Sequence, residues 1–177
     1  MTGSGWDYSL RICASGSEEK LALVGAASFL EAFAGTLAGE DILAHCRNQH
    51  SAQKYAALLV AAETYACIAE VKDAPVGYAV LCPPDLPVPV TLDDIELKRI
   101  YLLHRFQGSG IGAALMDWSV ETARSLGKRR LLLGVNAEND KAVAFYLRHG
   151  FEHAGTRKFQ VGNTICSDFI LARKLET

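Results

Sequence analysis

No apolar run in the 177 residues approaches the roughly 18 needed for a membrane-spanning helix. The opening residues, MTGSGWDYSL, also lack the basic and apolar segments of a secretory leader, so a cytoplasmic protein without a membrane partner is expected. Basic blocks are missing as well. With 18 Lys and Arg against 20 Asp and Glu the formal net charge is −2, and a nucleic-acid partner is disfavoured because such proteins carry an electropositive footprint. Five cysteines (Cys13, Cys46, Cys67, Cys82, Cys166) are scattered, odd in number and without a C-x-x-C pair, which argues against a disulfide framework or a metal site. Cys67 and Cys82 lie in apolar, strand-like runs and read as small buried hydrophobes rather than as nucleophiles served by His104 or His149. No Gly-Lys-Ser/Thr triplet occurs, which excludes the ATP/GTP phosphate loop. Internal repeats and low-complexity tails are absent too.

What remains is a chain of ordinary composition, 50% hydrophobic and 21% charged, of a length that suits one domain around one core. Its organising stretch is residues 95–126, IELKRIYLLHRFQGSGIGAALMDWSVETARSL: a strand, a glycine-rich turn and a long amphipathic helix. The alternating glycines Gly108, Gly110 and Gly112 let the backbone approach a ligand closely and adopt conformations that a Cβ forbids. The first N–H groups of a helix have no intrahelical partners and carry the positive end of its dipole, so the turn is a ready seat for a phosphate. The dinucleotide pattern G-x-G-x-x-G/A is met formally by residues 108–113. It belongs, however, in a first βα turn with an acid about 20 positions on, where this chain has the apolar residues 131–135. Dinucleotide binding is therefore a runner-up.

Residues 8–13 read as a first strand, followed by a helix from Ser17 to about Ala34 and two shorter helices over 40–47 and 51–62, the last capped by Ser51. The runs 65–71 and 76–81 form a hairpin about the turn residues 72–75, and the four prolines of 83–89 mark a loop, since proline cannot donate to a ladder. Residues 95–103 are the central strand. In the helix that follows, Ile111, Leu115, Trp118 and Thr122 recur at helical spacing up to a stop at Gly127. Residues 131–135 make a short strand of the kind buried on both faces, parallel to the central strand through a helical crossover. A helix capped by Asn139 and stopped by Gly150 comes next, and strands over 151–157 and 167–174, joined at Gly162-Asn163, complete a mixed sheet.

The pattern [R/Q]-x-x-G-x-[G/A] is met by Gln107, Gly110 and Gly112, and also in an earlier register beginning at Arg105. The later register puts Gly112 at the helix entry. Together with ELKRIYL at 96–102 and NDKAVAFYLRHGF at 139–151, this stretch resembles the acyl-CoA-binding core of the GNAT superfamily of N-acyltransferases. The resemblance covers about 65–175, with three motifs in the family's order and spacing. It implies an α/β (α+β) single domain with a mostly antiparallel sheet of about seven strands flanked by helices. A parallel strand pair splays at the coenzyme site, and the variable helices of 17–62 shape the acceptor pocket.

By the same resemblance the chain is an N-acetyltransferase that uses acetyl-CoA as cosubstrate and a small-molecule amine as acceptor, needs no metal, and leaves homodimerisation open. Residues Gln107, Gly108, Ser109, Gly110, Ile111 and Gly112 are expected to receive the pyrophosphate. Backbone groups of Ile100, Tyr101 and Leu102 and the side chain of Asn139 are expected to hold the pantetheine arm, and the backbone around Ile100 or Tyr101 to polarise the thioester carbonyl. Tyr146 occupies the family's general-acid position beside the coenzyme sulfur, with packing beside Phe145 as its alternative. Glu96 is the candidate base, with an ion pair to Lys98 or Arg99 as its alternative. Strand alternation puts Glu96, Lys98, Ile100 and Leu102 on one face. His104 is expected to meet solvent or coenzyme phosphate.

Over nearly its whole length the chain also resembles bacterial PaiA-type spermine/spermidine N-acetyltransferases, which implies a polyamine acceptor. Glu31, Glu40, Asp93, Asp94 and Glu96 would then form an acidic approach. Acetylation of a protein N-terminus, a lysine or another small amine is the alternative within the enzyme class. A coenzyme-binding sensor without turnover is the alternative outside it.

Overall fold

The computed structural model describes residues 5–161 and 164–176. Among them, seven strands form one sheet in the order β1-β2-β3-β4-β5-β7-β6. These are β1 (Ser9–Ile12), β2 (Tyr65–Val71), β3 (Ala74–Cys82), β4 (Asp94–Leu102), β5 (Arg130–Asn136), β6 (Glu152–Val161) and β7 (Thr164–Lys174). All neighbours run antiparallel except β4 and β5. Five helices flank the sheet: α1 (Glu18–Phe33), α2 (Gly39–Gln49), α3 (Ala52–Leu59), α4 (Ile111–Ser125) and α5 (Asp140–Arg148). The α/β class and the mostly antiparallel seven-stranded sheet are as expected.

Local chemistry sets most boundaries. Ser51 caps α3 by accepting from the Lys54 N–H at 3.2 Å, and Asn139 caps α5 through Ala142 N–H at 3.0 Å. Ser17 makes no such bond to its own helix. The β2–β3 hairpin is tighter than expected, because Lys72 and Asp73 both take positive φ (50° and 63°), the signature of a two-residue turn, and Ala74 and Pro75 join the strand. Gly150, at φ 79°, ends α5. The β6–β7 strands are longer than predicted; their expected turn at Gly162-Asn163 lies outside the described residues.

The two faces of the sheet carry different cores. On one, Ile111, Leu115, Met116, Val120 and Ala123 of α4 pack on Ile95, Leu97, Ala79, Leu81, Leu131 and Leu133. The inward stripe of α4 thus runs through Ile111, Leu115, Ser119 and Ala123, and Trp118 and Thr122 fall at its margin rather than its centre. On the other face, Leu21 and Val24 of α1 and Tyr55 of α3 pack on Ala66, Ile68, Tyr78 and Val80. Gly25 of α1 permits this contact, since a Cβ there would lie 2.5 Å from both His50 Nδ1 and Tyr55 Oη.

Two irregularities in β4 position the site. Its parallel pairing with β5 covers only Asp94, Ile95 and Glu96, opposite Arg130, Leu131 and Leu132, and beyond Glu96 the strands part. Asp94 and Arg130 clamp the paired end through two bonds, Nε to Oδ1 at 2.8 Å and Nη2 to Oδ2 at 2.6 Å. The second irregularity is a bulge. Val80 pairs with Arg99 and Leu81 with Leu97, so Lys98 is an extra residue. The bulge reverses the expected alternation. Ile100 and Leu102 pack with Ile95 and Leu97 on the α4 face, whereas Glu96 lies opposite Leu132 on the other face, where Arg99 meets Tyr55 and Tyr101 stacks on Tyr78.

Candidate active site

Beyond Glu96, one edge of β4 is free. Leu103 N–H donates to Val76 O on β3 at 2.9 Å, and hydrogen-bonded positions alternate along an antiparallel ladder. Tyr101 and Arg99 therefore turn their backbone toward β3, and Ile100 and Leu102 turn theirs into the gap beside β5. Expected backbone donors at Ile100 and Leu102 thus sit at the opening, but the Tyr101 backbone does not; its ring lies on the opposite face from α4, stacked on Tyr78 with centroids 5.9 Å apart. Such an unpaired edge, walled by strands that diverge, can take an extended amide-bearing chain as an added strand.

The gap leads to the glycine turn. After a 3-10 turn, His104–Phe106, Gly108 and Gly110 adopt φ of 78° and 91°, a region where side chains other than glycine are strained. Among the described residues, the N–H groups of Gly108, Ser109, Gly110, Ile111 and Gly112 have no hydrogen-bond acceptor, and they cluster at the α4 N-terminus. This is an anion nest of main-chain donors. Gln107 braces it, donating from Nε2 to Leu102 O at 3.3 Å and accepting from Lys141 Nζ at 2.5 Å, which ties the turn to both β4 and α5. Gly112 faces Leu102 and Phe145 at 3.8 and 3.9 Å from where a Cβ would stand. Asn139 uses Oδ1 for the α5 cap, leaving its amide NH2 as donor.

Tyr146 of α5 is buried at the α4-side core, edge-on to Phe145 and Phe151 with centroids 5.5 and 5.8 Å apart. Burial first, and the Tyr101 phenol second, push its hydroxyl well above the ordinary tyrosine range. The proton is thus retained. Glu96 is only 1% exposed and stands where β4 and β5 separate. Its Oε2 accepts from Asp85 N–H at 2.8 Å, and Oε1 lies 3.3 Å from Lys98 Nζ. The ion-pair alternative is realised with the bulged Lys98, not with Arg99.

The other expected acids are dispersed. Glu31 accepts from His104 N–H at 2.9 Å, Asp94 is clamped by Arg130, and Glu40 and Asp93 are exposed at the starts of α2 and β4. His104 lies 3.9 Å from Glu31 through Nδ1. Burial pushes the Cys67 thiol up to about 12 and that of Cys82 to about 11, which disfavours the thiolate a nucleophile needs. No group of three or more His, Cys, Asp or Glu among the described residues could hold a metal, and no described helix is long and apolar enough to cross a membrane.

One cluster was not visible in the sequence. On the face opposite α4, Arg99 Cζ sits 5.1 Å over the Tyr55 ring, and Tyr55, Tyr78 and His50 form a buried chain, His50 Nδ1 to Tyr55 Oη at 2.9 Å and Tyr55 Oη to Tyr78 Oη at 3.0 Å. Its members come from three elements and the α2–α3 link. Only tertiary folding, with the bulge, brings them together.

A splayed parallel strand pair beside a glycine nest at a helix N-terminus defines an acyl-coenzyme A transferase architecture. The sequence matches the acetyltransferase (GNAT) family over residues 26–151, and the chain belongs to it. An uncharacterized N-acetyltransferase of Mycobacterium tuberculosis is 34% identical over 157 residues, 89% of this chain and 97% of its own length. The PaiA N-acetyltransferase of Thermoplasma acidophilum, solved in complex with coenzyme A, has the same fold: TM-score 0.78, 22% identity, 95% of this chain and 99% of that one. So does the ribosomal-protein-S18-alanine N-acetyltransferase of Escherichia coli, at TM-score 0.66 and 19% identity over 96% and 95% of the two chains.

Proposed function

We propose that the chain transfers an acetyl group from acetyl-CoA to a primary amine by direct attack, without a covalent enzyme intermediate. The observation that carries this reading is the continuity between the free β4 edge and the five unpartnered N–H groups of the glycine turn. Together they offer a strand edge for the amides of a pantetheine arm and an anion seat for a pyrophosphate. When bound, the cosubstrate supplies the activated acyl group. Ile100 and Leu102 orient it from the free edge, with Asn139 as a side-chain donor.

Two protons must move. An alkylammonium, whose pKa is near ~10.4, must lose one before it can attack, and the departing thiolate must gain one. Tyr146 donates the second: it is kept protonated by burial and belongs to the helix that faces β5. Glu96 receives the first. It is the carboxylate at the vertex of the splay, and the exposed ammonium of Lys98 is the partner that can yield when the proton arrives.

A polyamine acceptor is the finer form of this reading that the PaiA-type resemblance implies. The dispersal of Glu31, Glu40, Asp93, Asp94 and Glu96 gives it no acidic funnel. The test is coenzyme-A thiol release from acetyl-CoA with spermidine, spermine, other small amines, amino acids, and N-terminal and lysine peptides. Release with any acceptor supports acetyl transfer, and the acceptor names the substrate class. Binding of acetyl-CoA with no release from the panel favours the coenzyme-binding sensor.

A further inference from the structure

Arg99 is a cation without a carboxylate partner among the described residues. Its side chain is partly buried on the face opposite α4, and its polar contacts are with neutral groups: the Tyr55 side chain, whose ring it overlies and whose phenol interacts with it, and a 3.4 Å bond from Nη2 to Gln49 Oε1, at the long limit for a hydrogen bond. Among the described residues its buried Nη1 has no hydrogen-bond acceptor. Among the described residues no carboxylate lies within 4.0 Å of it. The acids that share its face are already taken, Glu96 by Lys98 and the Asp85 N–H, and Asp168 by Arg157 at 3.1 Å.

The titratable groups around Arg99 do not neutralise it. His45 and His50 are held uncharged, first by burial and then by Arg99 itself. Tyr55, Tyr78 and Tyr101 are driven above the ordinary phenol range by burial and stay protonated. A guanidinium cannot shed its proton to escape the cost. An unpaired, largely desolvated charge is expensive unless something supplies its counter-ion. The planar fork suits one counter-ion best, a carboxylate, and the weak Gln49 contact is the one it would displace.

We propose that Arg99 binds a carboxylate of the acceptor, so that the substrate is a small molecule carrying both a primary amine and a carboxylate. This inference rests on the acetyl-transfer reading above. The Lys98 bulge supplies the geometry, setting Arg99 and Glu96 on one face so that the acid end of the substrate meets the guanidinium and the amine end meets the vertex of the splay. A polycation such as spermidine would bring its charges against Arg99 and be repelled.

The test pairs α-, β- and γ-amino acids with their carboxamides as acceptors for wild type, Arg99→Gln and Arg99→Lys. Wild type should favour the acid over its amide by about 10- to 100-fold in kcat/KM, the worth of a charge-assisted pair. That ratio should collapse in Arg99→Gln, through the KM of the acid, and be intermediate in Arg99→Lys, which keeps charge but not the fork. Equal use of acid and amide by wild type, better use of spermidine, or an Arg99→Gln ratio equal to wild type would each overturn the proposal while leaving acetyl transfer standing. The wild-type ratio decides the matter even where a variant fails to fold. A second arm needs no turnover: thermal shifts with N-acetyl amino acids and their amides, coenzyme A present. Acid-selective stabilisation that depends on Arg99, with no thiol release from any amine, would sustain the carboxylate site and overturn the acetyl-transfer reading. Absence of both would overturn both.

Discussion

Glu96 and Arg99 project from the same face of β4 although they stand three positions apart, because Lys98 is bulged out of the ladder between them. The bulge joins the two halves of the site. Upstream of it β4 still pairs with β5, and downstream its edge is open. Glu96, at the junction, holds Lys98 and the Asp85 N–H. A proton delivered to Glu96 would therefore loosen the bulge partner at the same moment that the amine becomes a nucleophile.

Glu96→Gln separates those roles. The amide oxygen can still accept from Asp85, but it cannot take up a proton. We expect kcat to fall about 100-fold near neutrality, the scale of a lost general base, with acetyl-CoA affinity unchanged. The loss should shrink as pH rises and solvent deprotonates the amine. A flat ratio of wild-type to variant rates across pH would assign Glu96 to the bulge alone.

Tyr146→Phe tests the acid. The ring contacts to Phe145 and Phe151 survive the change, so folding stability should move little. Turnover should drop about 100-fold with coenzyme binding retained, since proton delivery to the leaving group is lost and the packing is not. Because burial holds the phenol high, the wild-type rate should show no descending limb from Tyr146 deprotonation below pH 10. An unchanged rate in the variant would remove Tyr146 from the mechanism and leave it a packing residue.

Features encoded locally were legible in the sequence. The glycine turn, the Asn139 and Ser51 caps and the buried run of β5 each depend on a few consecutive residues, and each stands where it was expected. The parity of β4 was not legible. Nothing in ELKRIYL marks Lys98 as an extra residue, and the error sends Ile100 and Leu102 to the wrong side relative to Glu96. The Arg99 cluster was hidden for a different reason: Gln49, His50, Tyr55 and Tyr78 reach it from separate elements, and no local spacing reports their convergence.

Gly25 illustrates the same limit. Read locally, a glycine inside α1 is a weak point that alanine should improve by about 1 kcal/mol. The structure reverses the sign. The new Cβ would stand 2.5 Å from His50 Nδ1 and from Tyr55 Oη, both fixed in the buried hydrogen-bond chain to Tyr78. Overpacking costs about 1–3 kcal/mol and a lost bond about 1 kcal/mol more. Set against the propensity gain, Gly25→Ala should therefore lower stability by about 1–3 kcal/mol in urea denaturation. A gain in stability would show that α1 can move off the sheet without cost.

His50 makes the same cluster sensitive to acid. It is 4% exposed, and burial first, then the charge of Arg99 and, least, competition with the neighbouring His45 for a proton, take its pKa from 6.5 down to about 3. Below pH 6.5 the unfolded chain therefore binds a proton that the folded chain refuses. Stability is fully present above that value and is lost as pH falls toward 3, with a slope approaching about 1.4 kcal/mol per pH unit for this one group. His45 shifts the same way and adds to the loss. Asp94 is also depressed, chiefly by its hydrogen bond to Arg130, but its contribution disappears only below its ordinary 3.8. The two effects separate by window. Urea denaturation between pH 6.5 and 4.5 should show wild-type stability falling with acid, and His50→Gln, which can keep a bond to Tyr55 without a titrating ring, should flatten that slope. The Asp94→Asn variant should leave the slope in this window intact and lower stability by a constant amount across it, because the ion pair is fully formed throughout. An unchanged slope in His50→Gln would mean that the ring accepts a proton inside the fold, and the positive field around Arg99 would then be weaker than the cluster's geometry implies.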